Sequence, residues 1–214
     1  MKLTLYYAPM ACSLVPLISL NESGADFEVK PVNLRKAEQT SPEYLRMNPK
    51  HKVPVLLIDG KPLTENVAMA LWMTRAFPKA GILPADSNSE VEAISIMAWC
   101  ASGIHPAITR LNSPAKFCDT PGSEESIKRL AAKELDHVFG IADDMLAGRE
   151  YFFDKWCAAD SHFFWTWRRA ILLGQDFSKY RNCVAHFERM QQRPAVKKAL
   201  DFEKQVQAKF AKAA

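Results

Sequence analysis

The sequence has no CxxC pair, no internal repeat, no low-complexity tract and no apolar run of transmembrane length. Its five cysteines, Cys12, Cys100, Cys118, Cys157 and Cys183, are odd in number and irregularly spaced. That argues against a disulfide framework and a zinc site, and for a reducing, cytoplasmic compartment. An excess of one charge is lacking too. The formal net charge is +4, from 28 Lys and Arg against 24 Asp and Glu. A modest gathering, Lys197, Lys198, Lys204, Lys209 and Lys212, reads as the solvated face of a terminal helix. Neither a nucleic-acid partner nor a membrane is therefore expected. Pro9-Met10-Ala11-Cys12 fits a lipoprotein cleavage site loosely, but Tyr6, Tyr7 and Pro9 interrupt a stretch already short for a signal, so none is expected.

What is present suits a globular protein with an ample core: 214 residues, 48% hydrophobic and 24% charged. The first third alternates strand and helix signals. Lys2 to Tyr7 reads as a strand, Ala11 to Leu20 as a helix, Phe27 to Val32 as a strand, and Ser41-Pro42 opens a helix that ends before Asn48-Pro49. Val53 to Ile58 is an apolar strand, Asp59-Gly60 a hairpin turn, and Lys61 to Leu63 the returning strand. Asn66 is expected to cap a helix running from Val67 to Phe77. The order is βαβαββα.

Residues 79–89 read as a linker, dividing residues 1–78 from 90–214. Everything beyond is expected to be helical. Glu90 to Arg110 and Ile127 to Leu146 each carry one apolar stripe, the second closed by Gly148. Ala159 to Leu173 holds Phe163, Phe164, Trp165 and Trp167 and is expected to be the central buried helix. Two further helices flank Arg193-Pro194.

Three short motifs carry possible chemistry, each with an ordinary alternative. Val53-Pro54 heads a strand. A cis bond there would turn the Val53 amide and carbonyl outward to pair with an extended peptide, whereas a trans proline would only mark a strand edge. Cys12 falls in the first turn of the predicted first helix, where the dipole would favour a thiolate; a buried inert cysteine fits the position equally well. Thr64-Glu65-Asn66 offers a carboxylate for a ligand ammonium and a helix start for a ligand carboxylate, or merely a helix cap.

Together the pieces form a pattern. Tyr6-Tyr7-Ala8-Pro9-Met10-Ala11-Cys12-Ser13, Asn48-Pro49-Lys50, Val53-Pro54-Val55-Leu56, Leu63-Thr64-Glu65, Ile104-His105-Pro106, Ala159-Asp160 and Arg193-Pro194-Ala195-Val196 follow one another along nearly the whole chain. In this the sequence resembles the cytosolic glutathione S-transferases, most closely the bacterial beta class. The resemblance implies an α/β thioredoxin-like N-terminal domain and an all-α C-terminal helical domain. It also implies glutathione as co-substrate, no metal, a small hydrophobic electrophile or disulfide as second substrate, and a homodimer.

The resemblance also assigns roles. Cys12 matches the cysteine beside the glutathione sulfur, and His105 a histidine of the helical domain that faces that sulfur. Ser13, then Tyr6 and Tyr7, are the alternative hydroxyls. Val53, ahead of Pro54, matches the residue whose backbone pairs with the cysteinyl part. Lys52 matches the side chain reaching the glycyl carboxylate, and Glu65 and Asn66 the pair holding the γ-glutamyl end. Apolar residues of the helical domain, among them Trp99, would line the second-substrate pocket. Asp160 matches a capping aspartate whose usual Ser or Thr partner is here Cys157, so a weak cap is expected. Met10 and His51 stand where the pattern has Gly, Leu17 where it has His, and Asn66 where it has Ser or Gly. Conjugation, Cys12-dependent disulfide exchange and a non-catalytic binding or interaction module remain the three readings.

Overall fold

The structure, a computed structural model, describes residues 1–212. Ala213 and Ala214, at the end of the expected helical domain, lie outside the described residues. β1 (Leu3–Tyr7) forms where alternating apolar residues bury Leu3, Leu5 and Tyr7. Among the described residues it joins β2 (Glu28–Pro31), β3 (Val55–Ile58) and β4 (Lys61–Thr64) in a four-stranded sheet of order β2-β1-β3-β4. Leu5 lies opposite Val29 in the parallel β1–β2 pair and opposite Leu56 in the antiparallel β1–β3 pair. Asp59 and Gly60 turn the β3–β4 hairpin at φ 48° and 82°. These positive values match the right-handed strand twist, which is why the Asp-Gly pair signals a hairpin.

α1 (Leu14–Ser23), α2 (Pro42–Met47) and α3 (Asn66–Ala76) complete the expected βαβαββα order. α1 begins three residues later than predicted, at Leu14. Pro16 therefore falls in the first turn, where its missing N–H would have had no intrahelical partner. Cys12 lies in the turn before the helix, not inside it. The cap of α3 is Glu65, and Asn66 is its first helical residue.

The chain divides into two units, Met1–Leu83 with Gln192–Ala214, and Pro84–Gln191. The last helix, Pro194–Lys212, thus belongs to the unit that holds the sheet, whereas the sequence reading placed it in 90–214. Its contacts explain the grouping. Arg193 Nε donates to Glu22 Oε1 at 2.7 Å, and Asn21 Nδ2 donates to the Ala195 carbonyl at 3.3 Å.

The second unit begins with α4 (Ser87–Trp99), capped by Asp86, and continues into α5 (His105–Asn112) through a wide turn at Cys100–Ile104. There the His105 N–H donates to the Cys100 carbonyl, five residues back. The widened turn accommodates Pro106, which has no N–H to offer. Gly103 belongs to it because a Cβ there would lie 2.8 Å from Cδ1 of Trp99. The continuous run Ser87–Asn112 is 26 residues long and contains an 18-residue window of mean hydropathy 1.3. By length and composition it could cross a membrane, which the sequence reading did not anticipate, and 39% of that window is buried inside the protein.

α6 (Glu124–Met145), α7 (Ala158–Leu172), α8 (Arg181–Gln192) and, in the first unit, α9 (Pro194–Lys212) complete the helices. α7 is the buried helix that its aromatic content predicted, with Phe163 and Phe164 fully enclosed. Its start is fixed by Asp160, whose carboxylate accepts from the Cys157 N–H at 2.9 Å, the Phe152 N–H at 3.0 Å and His186 Nε2 at 3.0 Å.

Candidate active site

In the first unit the turn between β1 and α1 is held by short-range bonds. Ser13 Oγ accepts from the Ala8 N–H and donates to the Ala8 carbonyl, both at 3.0 Å. Ser13 is fully buried, so its hydroxyl serves the turn. Met10 sits within the turn at φ 66°, in the left-handed region that favours glycine.

The turn presents Cys12 toward the segment ahead of β3. Cys12 Sγ donates to the Val53 carbonyl at 3.5 Å, and the Val53–Pro54 peptide is cis. Asn66 Nδ2 donates to the Cys12 carbonyl at 3.2 Å from the start of α3. Cys12, Val53, Pro54 and Asn66 are therefore brought together. The side-chain N–H of Asn66 is spent on the Cys12 turn, while its buried Oδ1 has no hydrogen-bond partner among the described residues.

The sequence left two readings of Cys12 open, a thiolate favoured by the helix dipole and a buried inert thiol. The structure favours the second: burial pushes the Cys12 thiol up to about 12, and the negative charge of Glu65 adds to the effect. The residue is only half-buried as a whole, but it precedes the helix rather than lying in its first turn, so desolvation outweighs the dipole.

Lys52 is exposed, and its carbonyl is fixed by Tyr44 Oη at 2.7 Å and by Asn48 Nδ2 at 2.8 Å. His51, in the same loop, takes φ 46°. Both Met10 and His51 thus adopt the backbone that explains glycine at those two positions of the resembled pattern. Glu65 has φ 73°. A non-glycine residue there costs about 1–3 kcal/mol and persists only where its surroundings enforce it. Its carboxylate pairs with the Lys50 ammonium, which also donates to Thr64 Oγ1 at 2.7 Å.

His105 belongs to the second unit. It starts α5, and its ring packs edge-on against Trp165 at 4.5 Å between centroids. Trp99 is half-buried in α4.

The sequence reading missed three contributors. Lys50 partners Glu65. Tyr44, on α2, meets Tyr6 edge-on at 5.8 Å and holds Lys52. Glu203, on α9, is 1% exposed, and its Oε2 accepts from Tyr7 Oη at 2.9 Å and from the Met10 N–H at 2.7 Å. The available signal for Glu203 was a carboxylate inside an apolar stripe, Val196, Ala199 and Val206 sharing its face.

Residues 1–72 match the model of the glutathione S-transferase N-terminal domain. The glutathione S-transferase GstA of Escherichia coli O157:H7 is 32% identical over 203 residues, covering 93% of this chain and 98% of that protein. The chain belongs to the glutathione S-transferase family. Solved members of the family agree with the fold. A sphingomonad glutathione S-transferase complexed with glutathione aligns with TM-score 0.83 and 33% identity, over 95% of this chain and 99% of its own. The bacterial beta class enzyme of Sphingomonas chungbukensis aligns with TM-score 0.82 and 34% identity, over 95% of this chain and 98% of its own.

Proposed function

We propose that the chain binds glutathione on its first unit and promotes attack of the glutathione thiolate on an electrophilic carbon. The observation that carries this reading is Glu65. Its left-handed backbone holds a carboxylate at the mouth of α3, already engaged with an ammonium from Lys50. A γ-glutamyl ammonium would compete for that carboxylate. The N-terminal amides of α3 suit the neighbouring ligand carboxylate. The Val53 backbone would pair with the cysteinyl part, and Lys52 would reach the glycyl carboxylate. The sphingomonad relative solved with glutathione supports the ligand.

In the reaction, the glutathione thiol gives up its proton to solvent water, its sulfur forms a bond to the electrophilic carbon, and the leaving group departs with the bonding electrons. Cys12, with its thiol pushed up to about 12, is neutral at physiological pH. A neutral thiol donates a hydrogen bond to a developing sulfur anion but is a poor nucleophile. That favours conjugation over disulfide exchange begun at Cys12. The protein is further proposed to act as a cytoplasmic homodimer, with a solution mass twice that of the 24.1 kDa chain.

A conjugation assay with glutathione and a chlorodinitrobenzene tests this. Turnover is expected, with Cys12→Ala losing about tenfold, the worth of one hydrogen bond to a charged group. Full activity in Cys12→Ala with loss in Ser13→Ala would move thiolate stabilisation to Ser13. Saturable glutathione binding without turnover across a broad electrophile panel would make the protein a binding module.

A further inference from the structure

We propose that Glu203, on the C-terminal helix, is a positioning residue that sets the direction of the Cys12 thiol through the Met10 turn. The inference rests on the reading above that Cys12 lies in the glutathione site.

A carboxylate on the buried face of α9 costs several kcal/mol unless its oxygens are hydrogen-bonded. Glu203 Oε2 accepts from two donors in a short stretch of chain: Tyr7 Oη, at the end of β1, and the Met10 N–H. The Tyr7 ring is fully buried and packs edge-on against Phe202, the residue before Glu203, at 5.7 Å between centroids. The donors therefore meet a carboxylate whose backbone is itself held.

Met10 is two residues before Cys12 and has a left-handed backbone that an L side chain resists. A charge-assisted bond from its amide offsets that resistance and holds the turn. Ser13 closes the same turn onto Ala8, and Asn66 holds the Cys12 carbonyl. Cys12 is thus directed at Val53 by three anchors. One, Ser13, lies within the turn, one, Asn66, comes from the start of α3, and Glu203 comes from 193 residues beyond Met10. The C-terminal helix in this sense supports the turn that carries Cys12.

Three variants of the full-length protein test the proposal: Glu203→Met, which removes the acceptor at similar volume; Glu203→Gln, which keeps an acceptor oxygen; and Arg193→Met. The last breaks the Glu22 ion pair on the α1–α9 contact without touching the turn. The readouts are Cys12 alkylation by iodoacetamide, glutathione affinity by calorimetry, and melting temperature. Glu203→Met is expected to speed alkylation about fivefold and weaken glutathione about tenfold, as a misplaced site group does. Glu203→Gln should restore both to within about twofold, since the acceptor geometry survives. Arg193→Met should lower only the melting temperature. Wild-type alkylation and affinity in Glu203→Met, or equal changes in Arg193→Met, would overturn the proposal. If the wild-type protein binds no glutathione, the function reading fails, but the alkylation arm still decides the role of Glu203. If Glu203→Met does not fold, hydrogen exchange of the Met10 amide decides. Protection equal to that of α1 amides supports the anchor, and exchange at an open-loop rate overturns it.

Discussion

Asp160 and Glu203 are both buried carboxylates at the start or face of a helix, yet they were unequally visible. Asp160, fully buried, satisfies its oxygens mainly on nearby backbone, the Cys157 and Phe152 N–H groups three and eight residues back, and on His186 Nε2 from α8. Its key partner lies three residues back, so the arrangement follows from helix-cap geometry and can be read from spacing. Glu203 satisfies its oxygen on Tyr7 and Met10, across almost the entire chain. Only the folded first unit reveals what it does. A local carboxylate builds an element, whereas a non-local one joins an element to a site.

The sharpest way to break that comparison is to remove the local member. Asp160→Ala strands two N–H groups and His186 in the interior, and is expected to cost about 3–5 kcal/mol in urea unfolding. Glutathione affinity per folded molecule should be unchanged, because Asp160 serves the second unit. A loss of affinity in the folded fraction would show that the two carboxylates do not divide their work in this way.

The histidines of the same region sharpen the point. His186 meets Asp160, while His162 is 1% exposed and neither of its ring nitrogens has a hydrogen-bond partner among the described residues. Burial, helped by the nearby His105, lowers His162 from its ordinary 6.5 to about 3. The unfolded chain therefore takes up the proton first. The stability tied to a neutral His162 is present above pH 6.5 and is lost as pH falls toward 3. Between pH 6 and pH 4 the slope should approach about 1.4 kcal/mol per pH unit, and His162→Phe should remove that component from urea midpoints. An unchanged slope would show that His162 does not titrate differently in the two states.

The smallest expected effect concerns the other half of the α7 cap. The Cys157 thiol is a weaker acceptor than a hydroxyl, although the Asp160 half is fully made. Cys157→Ser should raise stability by about 0.5 kcal/mol, read as a small rise in melting temperature. No gain would show that the Asp160 half alone carries the cap.

Legibility followed the same division. The hairpin at Asp59-Gly60, the end of α2 before Asn48-Pro49 and the aromatic α7 were all readable, because each is decided by neighbouring residues. The sequence offered Glu65 as a candidate ligand carboxylate, but not its φ of 73°, nor that it, rather than Asn66, precedes the helix. The two readings of the Cys12 thiol could not be separated in sequence, because the helix dipole can be inferred from position, whereas desolvation depends on what packs round the sulfur. Lys50, Tyr44 and Glu203 went unseen because their partners are set by tertiary structure. The grouping of Gln192–Ala214 with the sheet was equally hidden, since α9 looks in sequence like one more helix of the second unit.

Calorimetric titration of glutathione into the wild-type protein and into Glu65→Ala tests the central claim most directly. Saturable binding at one site per chain is predicted for the wild type. Affinity should fall about a hundredfold in Glu65→Ala, since a charge-assisted contact to the ligand ammonium is lost, with little change in melting temperature. Equal affinity in the two proteins, or no saturable binding in the wild type, would contradict the assignment of the glutathione site.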